Sequence, residues 1–194
     1  MIKRFFDITS ALLVLITLLP LFVIICLLII FDSKGGILYY QERVGRGLKP
    51  FMLYKFRTMK KDSKGLKITV GKDPRITSIG HVLRSYKLDE LPQLINIIKG
   101  DMSVVGPRPE TPNYVALYSI NQKRVLDVRP GLTDYASLEF IDENKVLSAY
   151  DDPEKAYIET IMPAKLSLNL KYINEHSFWV DIKIIFKTIF KIIN

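Results

Sequence analysis

The chain contains 194 residues, which is enough for one domain with a hydrophobic core but too few for two ordinary domains. Its formal net charge of +8 favours anionic partners such as phospholipid headgroups, nucleotides, nucleic acid or phosphorylated substrates, without choosing among them. The single cysteine, Cys26, excludes an intrachain disulfide framework and a cysteine-based metal site.

A long apolar segment follows the first few residues. Residues 8–31 carry no charged side chain, and a straight helix of this length extends about 36 Å, enough to cross a hydrocarbon layer of roughly 30 Å. Pro20 lies near the middle, where it removes a backbone donor and predicts a bend. Basic residues flank both ends, which draws both ends to the cytoplasm. A re-entrant hairpin satisfies both observations, and a kinked single span is the alternative.

Two β-rich segments come next. Residues 37–40 and 51–56 are separated by a glycine-containing turn at residues 45–47, a pattern that predicts a β-hairpin. Lys55 and Arg57 alternate with aromatic residues here, so they are either candidate phosphate ligands or the solvated face of a strand. Residues 60–75 are rich in Lys, Asp, Ser and Gly and predict an exposed loop.

The acidic pair Asp89-Glu90 lies where a short helix is predicted to begin. A preceding helix is expected over residues 78–86, capped by Ser78, and the next one starts with Asp89 as its N-cap and stops at Gly100. Unpaired N–H groups and partial positive charge at a helix start can hold a phosphate beside these carboxylates. Helix capping alone is the simpler explanation for such a pair.

Candidate anion ligands are close to this pair in the sequence. Arg84 precedes it by one turn, and Arg108 lies between two prolines in a stiff loop, where its planar guanidinium suits a phosphate. Lys55, Arg57 and Arg129 lie further away, and Arg129 is also suited to capping the carboxyl end of a helix. A carboxylate that holds Mg²⁺ among several cations would serve a diphosphate substrate.

The remainder of the chain is predicted to be mainly helical, over residues 111–126, 152–174 and 177–194. The last segment carries lysines at every fourth position opposite an aromatic-rich apolar face, which indicates an amphipathic helix. This helix packs on the domain core or lies in the headgroup layer, and both can hold at once. Nucleic-acid binding is disfavoured because the chain has no basic helix or stacking motif and carries an apolar anchor.

Together these motifs resemble the bacterial sugar transferases, also called monotopic phosphoglycosyl transferases, over almost the whole chain. The matching segments, in chain order, are Gln41-Glu42-Arg43-Val44-Gly45, Tyr54-Lys55-Phe56-Arg57-Thr58-Met59, Asp73-Pro74-Arg75-Ile76-Thr77, Leu88-Asp89-Glu90-Leu91-Pro92-Gln93, Lys99-Gly100-Asp101-Met102-Ser103, Gly106-Pro107-Arg108-Pro109, Arg129-Pro130-Gly131-Leu132-Thr133 and Asp181-Ile182-Lys183-Ile184.

The resemblance implies an enzyme that moves a sugar 1-phosphate from a UDP-sugar to polyprenol (undecaprenyl) phosphate and releases UMP. Asp89 would be the nucleophile beside Mg²⁺ and would form an aspartyl phosphosugar intermediate. Glu90 would assist through acid/base chemistry or by orienting the site, and Arg108 would hold phosphate.

The resemblance also implies a location on the bacterial cytoplasmic (inner) membrane. Residues 1–32 would form a re-entrant membrane helix, and residues 33–194 a catalytic domain on the cytoplasmic face, with membrane lipids as further partners and a homo-oligomer left open. The expected fold class is helix-rich α+β, with a small β-hairpin and amphipathic interfacial helices around one globular domain.

Two departures from the family pattern stand out. Leu19 precedes Pro20 where the family typically has Ser, so another group, such as Thr17, must stabilise the bend. Residues 134–140 replace a frequent Gly-Trp-Ala-Gln run, which bears on sugar specificity. Two other functions remain open: a non-catalytic, membrane-docked protein that binds lipid phosphates, and a phosphatase acting on polyprenyl diphosphates.

Overall fold

The computed structural model describes residues 2–60 and 73–193, so most of the loop predicted over residues 60–75 lies outside the described residues. The helices are α1 (Ile2–Thr17), α2 (Leu19–Asp32), α3 (Ser78–Ser85), α4 (Gln93–Lys99), α5 (Pro112–Val115), α6 (Tyr135–Glu139), α7 (Glu143–Leu147), α8 (Pro153–Ala156), α9 (Met162–Glu175) and α10 (Phe178–Ile193). The strands are β1 (Leu38–Val44), β2 (Pro50–Phe56), β3 (Ser103–Val105) and β4 (Gly131–Thr133). The helix-rich α+β class is confirmed.

The apolar N-terminal segment forms two helices with a sharp bend between them. The axes of α1 and α2 differ by 63°, and Pro20 lies in the first turn of α2, where its missing N–H is tolerated. The Thr17 hydroxyl donates to the carbonyls of Leu13 (2.9 Å) and Val14 (3.1 Å), one turn before the bend. Among the described helices, none is by itself long and apolar enough to cross a membrane, whereas this bent pair together meets that criterion.

Polar side chains fasten the start of α1 to the rest of the protein. Asp7 is 2% exposed, and its carboxylate accepts hydrogen bonds from the Ser103 hydroxyl (2.9 and 3.0 Å) and from the Val104 N–H (3.0 Å). Arg4 donates to the carbonyls of Ile97 (2.7 Å) and Ile98 (3.0 Å), which lie in the last turn of α4. The first turns of α1 are therefore part of the packed domain.

Residue Lys3 makes a further connection between the two ends of the chain. Its ammonium group pairs with Asp181 of α10 and donates to the Val105 carbonyl (3.0 Å) and the Tyr172 hydroxyl (3.3 Å). The Tyr172 hydroxyl also donates to Asp181 at 2.7 Å. This network joins α1, β3, α9 and α10.

The predicted β-hairpin is confirmed as the antiparallel pair β1–β2. Leu53 of β2 is 3% exposed and packs in a core cluster with Ala11 of α1 and Ile97 of α4. Lys55 lies two residues further along the same strand and therefore on the same face as Leu53. The hairpin thus directs Lys55 towards the α4 side of the molecule. A second, parallel pair joins β3 to β4.

The helical predictions were only partly correct. Helix α3 begins as expected, but Thr77 rather than Ser78 caps it by accepting from the Gly80 N–H at 3.0 Å. Residues 111–126 do not form a long helix: α5 ends at Val115, and Ser119 and Gln122 accept from each other's backbone N–H groups in a turn that begins a separate segment. Only α5 and a 3₁₀ segment (Gln122–Asp127) form there.

The C-terminal helices agree with the predictions. Residues 153–175 form a continuous helical segment, with a π turn over Tyr157–Ile161 just before Pro163, a residue that cannot donate a backbone hydrogen bond. In α10, Ile184 is fully buried, whereas Trp179 is 78% exposed and Phe186 is 68% exposed. One part of the apolar surface of α10 therefore packs on the core and another part faces outward.

The Asp7 contacts generate a stability prediction. Changing Asp7 to Ala leaves the half-buried Val104 N–H and the buried Ser103 hydroxyl without their acceptor, which should cost about 1–3 kcal/mol of folding free energy. Thermal unfolding of the purified protein should show a decrease in Tm of about 2–4 °C per kcal/mol. Ser10→Ala is the matched control, because the Ser10 hydroxyl bonds only carbonyls of its own helix. An Asp7→Ala protein as stable as the control would contradict this role.

Candidate active site

The acidic pair lies in a 3₁₀ turn over Leu88–Glu90, and α4 begins only at Gln93. The prediction that Asp89 is the N-cap of this helix is therefore wrong. Pro92 contributes to the difference, because it would be the third helical residue and has no N–H for the Asp89 side chain to accept, and the Leu91 N–H bonds the Leu88 carbonyl at 3.2 Å in a 3₁₀ turn. Within the described part of the chain, no group donates a hydrogen bond to the Asp89 carboxylate, although Asp89 is only 7% exposed.

Glu90 has the opposite environment, because two cations bind its carboxylate. Lys55 Nζ lies 2.7 Å from Glu90 Oε1. Arg108 donates to both oxygens, from Nη1 to Oε2 at 3.2 Å and from Nη2 to Oε1. The Glu90 side chain is 13% exposed, that of Lys55 is 19% exposed and that of Arg108 is 34% exposed. Arg108 therefore reaches the solvent side of the site.

The pKa shifts of the two acids differ in direction. Burial raises the pKa of Asp89, and the positive charge of Lys55 only partly opposes this effect. Burial would also raise the pKa of Glu90, but Arg108 and Lys55 together outweigh it and hold that pKa well below its usual range. Burial lowers the pKa of Lys55, whereas the neighbouring Glu90 carboxylate raises the pKa of Arg108. Glu90 is thus a fixed anion, and Asp89 is a buried carboxylate whose ionised form is less well stabilised.

Arg84 is the third cation that the fold brings to the acidic pair. It projects from α3, its Nε donates to the Thr58 hydroxyl at 2.9 Å, and its charge acts to lower the pKa of Asp89. Burial in turn lowers the pKa of Arg84. The structure therefore places three of the predicted phosphate ligands, Lys55, Arg84 and Arg108, around Asp89 and Glu90.

The other two predicted phosphate ligands lie elsewhere. Arg57 is 8% exposed, and its guanidinium donates to the carbonyls of Gly36 and Ser33 at the end of α2. Arg129 Nε donates to the Gly100 carbonyl at 3.0 Å, at the opposite end of α4 from the acidic pair. Both arginines stabilise helix carboxyl ends, which is the alternative role foreseen for Arg129.

The loop that carries Arg108 is closely packed against the start of β4. The Gly106 N–H donates to the Thr133 carbonyl (3.0 Å), and the Gly131 N–H donates to the Pro107 carbonyl (2.9 Å). A Cβ atom on Gly131 would lie 2.1 Å from Gly106 N, so only glycine fits this backbone approach. The loop is therefore held rigidly beside the acidic pair.

Sequence reasoning gave no role to several residues that support this loop. Arg43 Nη1 donates to the Pro109 carbonyl (3.1 Å) and to Glu110 (2.7 Å), and Glu110 also accepts from the Tyr157 hydroxyl. Asp134 accepts from the Arg108 N–H at 3.1 Å. The motif around Arg43 was a signal that this segment matters, but a pattern in one sequence does not show which distant residue it contacts.

The Asp89 carboxylate is the group at the site best suited to hold a divalent cation. Among residues 2–60 and 73–193, no group of three or more His, Cys, Asp or Glu side chains is placed to hold a metal ion. Mg²⁺ commonly binds proteins through one or two carboxylates and completes its shell with water and substrate phosphates. The Asp89 carboxylate fits this pattern, since its oxygens accept no hydrogen bond from the described residues, whereas those of Glu90 are occupied by cations.

Comparison with known proteins identifies the class to which this fold and site belong. The family model described as bacterial sugar transferase matches residues 1–194, and the chain belongs to that family. The resemblance drawn from the motifs is thereby confirmed.

Individual relatives refine the comparison. The chain is 38% identical over 196 residues to the undecaprenyl-phosphate glucose phosphotransferase of Komagataeibacter xylinus, a match covering 96% of the chain and 35% of that relative. It is 36% identical over 200 residues to the UDP-glucose:undecaprenyl-phosphate glucose-1-phosphate transferase of Escherichia coli (strain K12), covering 98% of the chain and 40% of the relative. The chain thus spans well under half the length of these two relatives.

A relative of similar size also matches. The exopolysaccharide production protein PSS of Rhizobium leguminosarum bv. phaseoli is 38% identical over 197 residues, and the match covers 97% of the chain and 93% of that protein.

The two acids should affect stability in opposite directions. Burial raises the folded-state pKa of Asp89 above its unfolded value, so ionisation of this carboxyl group destabilises the fold, and Asp89→Asn should raise Tm at pH 7. Glu90 has a depressed pKa, so its ionised form stabilises the fold above its unfolded pKa of about 4.3 and this contribution is lost as pH falls through the folded pKa. Glu90→Gln should lower the free energy of unfolding by about 1–3 kcal/mol at pH 7. This range is below that of a fully buried ion pair, because the Arg108 side chain is 34% exposed and solvent screens its charge.

Thermal unfolding at pH 7 and at pH 4 measures both effects. The difference between the Glu90→Gln variant and the unsubstituted protein should begin to shrink at pH 4, because Glu90 is then partly protonated in the unfolded chain, while its ion pairs persist in the folded protein until the pH falls to the depressed pKa. Equal and unfavourable effects of the two substitutions at pH 7 would contradict the asymmetric environments.

Proposed function

We propose that this protein is a phosphoglycosyl transferase that moves a sugar 1-phosphate from a UDP-sugar to polyprenol phosphate, with undecaprenyl phosphate as the acceptor. The observation that carries the proposal is the unequal acidic pair. Glu90 is bound by Arg108 and Lys55, whereas the buried Asp89 carboxylate receives no hydrogen bond from the described residues. The names of the relatives, which include undecaprenyl-phosphate sugar phosphotransferases, support this reaction class.

The reaction proceeds in two steps that share one pocket. A carboxylate oxygen of Asp89 attacks the sugar-bearing phosphorus, a P–O bond to the second phosphate breaks, and UMP leaves with that bonding electron pair. A phosphate oxygen of the polyprenol phosphate then attacks the same phosphorus, and the Asp89 carboxylate departs. The products are UMP and a polyprenyl diphosphate sugar, and a covalent intermediate lets a soluble donor and a lipid acceptor react in turn.

The neighbouring side chains take complementary roles in these steps. Glu90 stays ionised and orients Arg108 and Lys55, and its low pKa makes it a poor proton donor at neutral pH. Arg108 uses only part of its five N–H donors on Glu90 and offers the remainder to phosphate oxygens, and Arg84 adds positive charge near Asp89. Mg²⁺ bound by Asp89 and the phosphates would offset the negative charge of the diphosphate and the departing UMP.

The helix pair α1–α2 is proposed to enter and leave the bilayer on the cytoplasmic face, beside the catalytic domain. Both ends of the pair attach to that domain. The start of α1 is bound through Lys3, Arg4 and Asp7, and at the end of α2 the Asp32 carboxylate accepts from the Ile79 N–H at 3.2 Å. A straight span would separate these ends by the thickness of the bilayer, so the attachments favour a re-entrant pair.

Exposed apolar side chains mark the surface that would face lipid. They are Phe5, Leu13 and Ile16 on α1, Val23, Ile24 and Phe31 on α2, and Trp179, Phe186 and Phe190 on α10. Many large apolar side chains exposed on helices are typical of membrane-interacting proteins. We therefore place α10 in the headgroup layer with its buried face on the domain.

The reaction is tested by incubating the purified full chain with Mg²⁺, undecaprenyl phosphate and UDP-glucose, UDP-galactose or UDP-N-acetylgalactosamine, and measuring UMP. At least one donor should give UMP, and Asp89→Asn should lower the rate by about 1,000-fold or more because the nucleophile is lost. Without the acceptor, each active molecule should release one UMP and gain the mass of a phosphosugar.

Asp152→Asn is the matched control for that substitution, since Asp152 is an exposed helix cap and Asn caps equally well. Full turnover by the Asp89→Asn protein, or UMP release that requires both substrates together, would remove Asp89 from the nucleophile role. Release of inorganic phosphate from polyprenyl diphosphate would indicate the phosphatase, and lipid binding without any turnover would indicate the binding protein.

The membrane arrangement has its own test. Single cysteines placed at residues 2 and 192 of a Cys26→Ser protein should both be unreactive to a membrane-impermeant thiol reagent added outside intact cells, and both should react in inverted vesicles. Pro20→Leu should shift part of the population towards a spanning form, in which residue 2 reacts from outside. External labelling of residue 2 in the protein that retains Pro20 would contradict re-entrance.

A further inference from the structure

Asp134 is a fully buried carboxylate outside the acidic pair, and both of its oxygens are used. Oδ1 accepts from the Ser137 N–H at 2.6 Å and so caps α6. Oδ2 accepts from the backbone N–H of Arg108 at 3.1 Å. One side chain therefore connects the start of α6 to the residue whose guanidinium binds Glu90.

We propose that Asp134 is a positioning residue that holds the Arg108 guanidinium against Glu90 and the donor diphosphate. This inference rests on the proposed function, because it assigns Asp134 a part in placing a phosphate ligand. Capping of α6 requires only one carboxylate oxygen, so the bond from the second oxygen to Arg108 is not explained by capping.

The composition of the loop makes this contact important. Arg108 lies between Pro107 and Pro109, neither of which has an N–H, so the Arg108 N–H is the one amide donor of this three-residue segment. The carbonyls of the two flanking prolines accept other hydrogen bonds. The Pro107 carbonyl accepts from the Gly131 N–H, and the Pro109 carbonyl accepts from Arg43. The peptide group that directly precedes the Arg108 side chain is thus held at its carbonyl by Gly131 and at its N–H by Asp134.

Burial prevents water from taking over this contact easily. Asp134 is 0% exposed, so loss of its carboxylate would leave the Arg108 N–H without an acceptor in a dry environment, and the loop would shift to find another. The negative charge of Asp134 also acts with that of Glu90 to raise the pKa of Arg108. The carboxylate therefore acts mainly on the position of the guanidinium, since an arginine carries its charge at neutral pH in either case.

The test uses Asp134→Ser, because the Ser hydroxyl preserves the helix cap but is too short and has only one oxygen to hold both donors. We expect kcat/KM with the most active of the three UDP-sugars to fall about 10- to 100-fold, the range that a displacement near 1 Å produces. The affinity for UDP in the presence of Mg²⁺, measured by calorimetric titration, should weaken as well. Asp152→Ala removes a similar cap far from the site, where Asp152 accepts from the Lys155 N–H at 3.0 Å, and should leave both quantities unchanged.

A double-mutant cycle separates positioning from a general loss of structure. In an Arg108→Ala background, Asp134→Ser should change kcat/KM and UDP affinity by less than about 2-fold, because the group it positions is gone. Equal losses with and without Arg108, or unchanged activity of the folded Asp134→Ser protein, would overturn the inference. If Arg108→Ala itself retained full activity and UDP affinity, the proposed function of the site would fail, which is a different outcome.

Discussion

The ion pairs of Glu90 with Arg108 and Lys55 are the contacts on which the arrangement of this site depends. They join a strand of the hairpin, the 3₁₀ turn before α4 and the loop between two prolines, three segments that are far apart in the sequence. Removing a charge from water is costly, and a buried pair is stable only when its geometry and hydrogen bonds are nearly complete. Glu90 meets that condition, because both of its oxygens accept from a cation.

Lys55 and Arg108 donate to Glu90, and neither donates a hydrogen bond to the neighbouring Asp89 carboxylate. The adjacent carboxylate is equally close to the cations in sequence but is left without a hydrogen bond from the described residues, and burial raises its pKa. A nucleophile must keep an oxygen lone pair available, and a firmly hydrogen-bonded carboxylate would have to break those bonds before it attacked. The less stable environment of Asp89 is what the proposed nucleophile role requires, and such a loss of stability for function is common at active sites.

Local patterns in the sequence were sufficient for the hairpin, for the stop at Gly100 and for the amphipathic α10, because each depends on residues within one segment. They also located the acidic pair. They were insufficient where a distant contact decides the outcome. Arg57 and Lys55 belong to the same short motif. The Arg57 guanidinium nevertheless donates to the Ser33 carbonyl at the end of α2, whereas the Lys55 ammonium donates to Glu90. The N-cap prediction for Asp89 was wrong for a local reason, since Pro92 is tolerated in a first turn but offers no N–H for the Asp89 side chain to cap.

The position of the acidic pair relative to the helix pair connects the chemistry to the membrane. Leu88 and Leu91, which flank the pair, pack with Ile25 and Ile29 of α2, so the site is fixed directly to the segment proposed to enter the bilayer. A polyprenol phosphate has its charged group at the membrane surface and its chain in the hydrocarbon layer. A catalytic carboxylate attached to a re-entrant helix would therefore meet the acceptor phosphate at the depth where the lipid already holds it, and the acceptor would not have to leave the bilayer.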